Sequence, residues 1–300
     1  MAAIGNFDGV HLGHRRLIEA ARAEAAQGGR STAVLTFEPH PRDFFRPDEP
    51  AFRLTPEPVK LKILGALGVE IVFVRRFDAS LAGTSAAEFV SRVVARELDI
   101  SKVVVGQNFH FGRGREGTPS MLQSLAHASG MEARIEPAIE EDGAPVSSSR
   151  IRAALAVGDM TAANRLLGYR WLVRGEVVHG AKRGRTLGFP TANVALGMGC
   201  RLAYGIYAVR VATAPGTVHA GVASYGQRPT FDDGPPLLET FVFDFSEDLY
   251  GRVIEVEFID RIRGEKRFAS VDELVRQMRR DGERARAITA GSDGLQSFLG

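Results

Sequence analysis

The first half of the chain alternates short β-branched runs with stretches whose apolar residues recur at helical spacing. Ala2 to Ile4, Ser31 to Phe37, Glu70 to Val74, Lys102 to Gly106 and Glu132 to Ile139 predict strands. Between them Arg15 to Gln27, Val59 to Leu67, Ser85 to Leu98 and Ser120 to Ser129 predict helices. Ser85-Ala-Ala-Glu88 is a capping box that starts the third of these. Strands alternating with helices predict a parallel sheet with helices on both faces, which binds ligands beyond the carboxyl ends of its strands. Helical spacing ends with Met160 to Leu167. Trp171 to His179, Tyr204 to Thr213, Val218 to Ser224, Leu238 to Phe245 and Val253 to Ile262 then predict strands, with turns at Ala214-Pro215-Gly216, Asp232 to Pro236 and Tyr250-Gly251. That pattern predicts a small antiparallel sheet or barrel. A second capping box, Ser270-Val-Asp-Glu273, opens a terminal helix through Arg280. The expected fold is therefore α/β: a parallel-sheet, Rossmann-like domain over 1–168, then an antiparallel β-barrel domain with a carboxyl-terminal helix over 169–300.

Composition narrows the function classes. A length of 300 residues is two domains' worth, and 44% hydrophobic with 25% charged residues is ordinary for globular protein. The 38 basic and 36 acidic side chains nearly balance, so no general attraction to nucleic acid or membrane is expected. A single cysteine, Cys200, cannot form an internal disulfide, which fits a reducing compartment. With no membrane-length apolar run and no basic-then-apolar leader, a cytoplasmic location is expected.

Candidate chemistry begins at the first strand end. Gly5-Asn6-Phe7-Asp8-Gly9-Val10-His11-Leu12-Gly13-His14 packs a glycine turn and a helix start into ten residues. Glycine lets backbone approach a ligand, and free amides at the helix start attract anions. His11 and His14, three apart, can both address whatever collects there. The turn by itself also fits an ordinary strand-to-helix junction. The full pattern resembles the H-x-G-H signature of nucleotidyltransferases, whose histidines hold ATP phosphates during attack at the α-phosphorus. Two further segments fall at the same sheet edge. Gln107-Asn108-Phe109-His110-Phe111-Gly112-Arg113-Gly114-Arg115 is a glycine and arginine loop carrying aromatics, and Ser147-Ser148-Ser149-Arg150-Ile151-Arg152 opens a helix with hydroxyls and two arginines.

In the second half Gly180-Ala-Lys182-Arg183-Gly184-Arg185-Thr186-Leu187-Gly188-Phe189 is a cationic glycine loop able to wrap a polyphosphate through its amides. A nucleic-acid patch and a solvated turn are the other readings of the basic run alone. Pro190-Thr191-Ala192-Asn193 follows, and Thr191 and Asn193 offer neutral oxygens on one side of an extended segment, suited to Mg²⁺ held by ATP. Glu239, read at the start of an apolar strand after a loop, is a candidate general base or a plain ion-pair partner.

Taken together, both halves resemble the bifunctional bacterial riboflavin kinase/FAD synthetase family. The first half carries it through GNFDGVHLGH, Thr36-Phe37-Glu38-Pro39-His40-Pro41, VGQNFHFGRG and SSSRIR; the second through GAKRGRTLGFPTAN, Tyr204-Gly-Ile-Tyr-Ala, Arg228-Pro-Thr-Phe231, Glu239 and Asp248-Leu-Tyr-Gly251. The resemblance implies phosphorylation of riboflavin to FMN and then adenylylation of FMN to FAD, with ATP, riboflavin and FMN as substrates and Mg²⁺ as cofactor. It implies that His11 and His14 act on ATP phosphates, with Gly5, Phe7, Asp8, Gly9, Ser148, Ser149 and Arg150 around them. Phe37, Pro39, Pro41, Asn108 and Phe109 would meet the flavin. In the kinase half Gly180, Lys182, Gly184, Arg185 and Gly188 would hold ATP, Thr191 and Asn193 the metal, and Glu239 would take the hydroxyl proton. Riboflavin would lie against the barrel under the terminal helix, with Arg279 or a neighbour closing over it.

The chain departs from the family pattern in three places. Little precedes Gly5, so a short first strand and a weaker first half are expected. Ser149 stands where the family has threonine, and Ser224-Tyr225-Gly226 replaces Asn-Ile/Val-Gly. Rival readings are a chain with one active half and a nucleic-acid-binding protein. Balanced charge and the lack of aromatics among the basic residues argue against the latter. Small molecules are the expected partners, with no nucleic acid or membrane, and self-association is left open.

Overall fold

The computed structural model describes residues 1–180, 187–197, 199–226, 236–292 and 294–299. Its backbone contacts form two units: Met1–Ala51 with Thr55–Ser148, and Phe52–Leu54 with Ser149–Gly300.

In the first unit β1 (Ala2–Ile4), β2 (Ala33–Glu38), β3 (Ile71–Arg76), β4 (Lys102–Gly106) and β5 (Glu132–Glu136) form one sheet in the order β3-β2-β1-β4-β5. Every pairing is parallel. Three residues suffice for β1 because it is the central strand, paired on both sides, with all three side chains at most 1% exposed. Side chains alternate faces along a strand, so the two faces bury different sets. Ala2, Ile4, Leu35, Val103 and Val105 pack with Phe89, Val90, Val93, Leu122 and Ala126. Ala3, Val34 and Val104, on the other face, are fully buried where α1 (Leu12–Gln27) lies on β1 and β4. Burial of apolar area at about 25 cal/mol per Å² makes these faces the main source of stability.

The remaining connections are α2 (Pro41–Phe45), α3 (Glu57–Ala66), α4 (Ala79–Ala82), α5 (Ala86–Glu88), which continues as a π-helix over Phe89–Glu97, and α6 (Pro119–Ala128). The capping box at Ser85 is present as read, but the helix it starts widens after one turn. The fifth strand stops at Glu136, short of Ile139, because Pro137 has no N–H to give a ladder. A two-residue ribbon, β6 (Glu140–Glu141) with β7 (Ala144–Pro145), follows.

The second unit starts from α7 (Ser148–Val157), of which Ser148 belongs to the first unit, and α8 (Met160–Leu167). Then β8 (Leu172–Val178), β9 (Ala192–Ala195), β10 (Gly205–Ala214), β11 (Thr217–Gly226), β12 (Leu237–Val242) and β13 (Val253–Arg263) close a six-stranded barrel in the order β10-β11-β12-β9-β8-β13. All its pairings are antiparallel. Trp171, Tyr207, Tyr225 and Phe258 are buried within this unit. The tight turn Pro215-Gly216 joins β10 to β11, with Gly216 at φ +73°, a conformation glycine adopts without strain. The strand expected over Leu238 to Phe245 ends at Val242, and Asp244 turns the chain at φ +55°.

The terminal helix, α9 (Val271–Ala290), runs ten residues beyond Arg280. Gly282 reads as a stop, yet Asp281, Ala285 and Thr289, four apart, form a buried stripe that carries the helix on. The helix packs on β10, β11 and β13.

Candidate active sites

In the first unit the loop after β1 is held in an unusual shape. Phe7 lies at φ +50°, Gly9 at +90° and Val10 at +37°. Positive φ is costly for a bulky or β-branched residue, so neighbours must impose it. Thr55 does much of this: its N–H donates to Asp8 Oδ1 at 3.1 Å and its Oγ1 accepts from the Gly9 N–H at 2.8 Å. Ser148 Oγ donates to the Asp8 carbonyl at 2.8 Å. The hydroxyl proton expected to meet a phosphate is thus committed to shaping the loop.

His11 is the N-cap of α1, but its side chain does not cap. Its ring stacks on His14 with centroids 3.7 Å apart, and His14 in turn lies 5.0 Å from the Phe7 ring. Gly13 makes room for the stack, since a Cβ there would stand 3.2 Å from His11 Cε1. Burial pushes His11 down to about 4. Burial also holds His14 well below its ordinary value, reinforced by the charges of His11 and Lys60. Both rings are therefore neutral near pH 7. Nδ1 of each is buried without a hydrogen-bond partner. Buried polar atoms are nearly always paired, so two orphans side by side at a helix start fit an anionic ligand. The first turn of α1 contains no acidic residue and includes Arg15, which keeps the electrostatics favourable to an anion.

Two residues around this loop, Thr55 and Lys60, escaped the sequence reading. Lys60 sits in an amphipathic helix where lysine reads as solvated, yet it is 0% exposed. Only the register of α3 against the sheet reveals it.

The residues expected to meet the flavin are split. Phe37 is core, 8% exposed and packed between Phe77 and Phe89. Pro39 follows a cis Glu38-Pro39 peptide, and Pro41 begins α2, whose cap is His40 Nδ1 accepting from the Arg42 N–H. Asn108 is exposed, and Phe109 stacks on Phe111 with ring centroids 5.4 Å apart. The helix α2 bears Phe44 and Phe45, which pack edge-on with Phe77; Phe45 is 63% exposed. Ser149 and Arg150 are the second and third residues of α7 and belong to the second unit.

In the second unit a cavity of about 340 Å³ is lined by Thr191, Asn193, Thr240 and the Phe245 to Tyr250 segment, among others. It brings Thr191 and Asn193 together. Glu239 sits within β12 rather than at its start, directly opposite Asn193 on β9 and Ser224 on β11. Opposed residues on paired strands share a face, so Glu239 and Asn193 lie on one face of the sheet; Glu239 is exposed and is not among the cavity's lining residues. Gly180 presses on that amide: a Cβ there would fall 2.5 Å from Asn193 Nδ2. Gly188 is at φ +85°. Lys182, Gly184 and Arg185, with Arg228 to Phe231, lie outside the described residues.

Arg279 is exposed on α9 and is not among the cavity's lining residues. Three features of the cavity were given no role by sequence reasoning. Thr240 Oγ1 is buried without a partner. Tyr250, whose ring centroid lies 4.0 Å from that of His179, and the acidic pair Glu247 and Asp248 also line the cavity. Among the described residues no three His, Cys, Asp or Glu side chains gather to hold a metal ion. The hydroxyl and amide oxygens of Thr191 and Asn193 are hard donors of the kind that complete a Mg²⁺ shell supplied mainly by phosphate and water.

Comparison with known proteins addresses each half separately. Residues 1–150 match the FAD synthetase family and residues 167–289 match the riboflavin kinase family. A bifunctional riboflavin kinase/FMN adenylyltransferase of Haemophilus influenzae is 39% identical over 95% of this chain and 92% of its own. That of Escherichia coli K12 is 40% identical over 94% and 90%. A solved structure described as a macrolide-efflux protein from Streptococcus pneumoniae superposes with a TM-score of 0.83 at 32% identity, over 95% of this chain and 93% of the other. No helix among the described residues here is long and apolar enough to cross a membrane. With both family models matched in order and full-length relatives near 40% identity, the chain belongs to the bifunctional riboflavin kinase/FMN adenylyltransferase family.

Proposed function

We propose that this chain makes FMN from riboflavin and ATP with residues 169–300, and joins FMN to the adenylyl group of a second ATP with residues 1–168. The observation that carries the reading is the match of both family models in order on one chain, over residues 1–150 and 167–289.

In the kinase half the terminal hydroxyl of riboflavin attacks the γ-phosphorus of ATP. Glu239 takes the hydroxyl proton, the new P–O bond forms, and ADP leaves. Thr191 and Asn193 would hold Mg²⁺, which neutralises phosphate charge when bound. Thr240 adds a donor to the cavity wall, and the glycine-basic loop that includes Lys182 and Arg185 covers the phosphates. In the adenylyl-transfer half a phosphate oxygen of FMN attacks the α-phosphorus of ATP and pyrophosphate leaves, so no proton need be removed from the nucleophile. Neutral His11 and His14 donate hydrogen bonds to phosphate oxygens as charge moves onto the leaving group. The α1 amides add to the anion site. Pro39, Pro41, Asn108, Phe109 and the exposed ring of Phe45 offer the flavin an apolar and hydrogen-bonding surface. Both steps depend on alignment and charge stabilisation more than on a strong nucleophile.

The test is direct. Purified protein incubated with riboflavin, ATP and Mg²⁺ is expected to yield FMN and then FAD by chromatography; neither product would overturn the reading.

A further inference from the structure

Lys60 belongs to neither motif set, yet it is the fully buried cation of the first unit. It lies one turn into α3, and its ammonium bonds both to the loop after β1 and to the carboxyl end of β2. Nζ donates to the Asn6 carbonyl at 3.1 Å and to Thr36 Oγ1 at 3.3 Å, and pairs with Glu38 Oε1 at 2.7 Å. Thr36 Oγ1 itself donates to the Asn6 carbonyl at 3.1 Å, closing a ring of contacts. Asn6 directly precedes Phe7, where the positive-φ loop begins, and Glu38 directly precedes Pro39. Those two segments leave the carboxyl ends of β1 and β2, which pair in parallel. One is the loop assigned to ATP and the other the loop assigned to the flavin.

Burying an ammonium is costly, and a core need alone is met at least as well by an apolar residue of similar volume. A cation at this point does something an apolar side chain cannot: it bonds a main-chain carbonyl of one loop and a carboxylate of the other at once. We infer that Lys60 is a positioning residue of the adenylyl-transfer site, fixing the separation of the ATP loop and the flavin loop so that the FMN phosphate meets the α-phosphorus in line. This rests on the functional reading above. The reaction is sensitive to such spacing, because a displacement of about 1 Å in a reacting group costs on the order of a hundredfold in rate.

The experiment uses the full chain and measures FAD formation from supplied FMN and ATP, with FMN formation from riboflavin on the same protein as an internal control. Lys60→Met is expected to raise KM for both ATP and FMN by about fivefold or more and to lower kcat, leaving the FMN-forming rate within about twofold of the parent. A merely structural lysine would lower the apparent kcat in proportion to folded protein and leave both KM values alone, and that result overturns the inference. Glu38→Gln, on a partly exposed residue, cuts only the flavin arm and is expected to raise KM for FMN more than KM for ATP. If Lys60→Met prevents the first half from folding, an unchanged FMN KM in Glu38→Gln overturns the inference instead. Parent protein that forms no FAD at all overturns the functional reading, and the inference falls with it.

Discussion

His11 and His14 show how one residue type serves two ends. Stacked and buried, they are neutral and lack partners, a state that costs stability and suits a phosphate. Their spacing was legible in the sequence; their neutrality was not, because it arises from burial and, for His14, also from the charges of His11 and of Lys60, forty-six residues further on. The sign of the pH effect follows. The folded-state pKa of His11 is about 4 against an ordinary 6.5, so below pH 6.5 the unfolded chain takes up a proton that the folded chain refuses. The stability it contributes is complete above pH 6.5 and is lost as pH falls towards 4. Between pH 7 and pH 5 that loss is on the order of 2 kcal/mol for His11 alone, with His14 acting in the same direction. Chemical denaturation followed by circular dichroism should therefore show a smaller drop between these pH values for His11→Gln than for the parent. An equal drop in both proteins would contradict a neutral, buried His11.

Among elements, those whose local signals agree with their packing were legible. The capping box at Ser85 and the Pro215-Gly216 turn form as read, and at Ser270 the hydroxyl caps the Glu273 N–H while the Glu273 carboxylate reaches the Ala269 N–H instead of the Ser270 N–H, since each is decided within a few residues. The elements that surprised depend on partners remote in sequence. The four-residue strand β9 exists because β8 and β12 flank it, and no proline or glycine marks the π-helical winding over Phe89–Glu97. The length of α9 is the clearest case. Asp281, 4% exposed, accepts two bonds from Arg263 Nε at 3.1 and 3.0 Å, one from its Nη2 at 2.7 Å and one from Gln277 at 2.9 Å. That clamp ties the middle of the helix to the end of β13. Asp281→Ala would leave Arg263 partly buried without its carboxylate, at a cost of about 3 kcal/mol. FMN formation should become heat-sensitive as a result, while FAD formation from supplied FMN keeps its parental temperature profile. Equal thermal loss of both activities would show that the clamp is not local to the barrel.

At the scale of the whole molecule the histidines proposed for adenylyl transfer and the residues proposed for phosphorylation lie in different units. The stacked histidines belong to the Met1–Ala51 and Thr55–Ser148 unit; Glu239, Thr191 and Asn193 belong to the barrel. The sequence could announce two sites because each carries its motif in a continuous stretch at a strand end. It could not announce Thr55, Lys60 or Thr240, single residues made important by a fold that brings them to a motif they do not adjoin. The division makes the activities separable by mutation. His14→Ala removes a ring that holds phosphate at the adenylyl-transfer site, and losses of about a hundredfold or more in FAD formation are expected for a preorganised donor of this kind. FMN formation should be untouched. Glu239→Gln keeps the size and the strand pairing of the residue but removes the proton acceptor, so FMN formation should fall by about a hundredfold or more. The same variant supplied with FMN should make FAD at the parental rate, which distinguishes a lost base from a misfolded barrel. A mixture of the two variants should then convert riboflavin to FAD through free FMN. If instead each substitution depressed both reactions equally, or the mixture stayed inactive, the two sites would have to work as one, and the assignment of one chemistry to each half would fail.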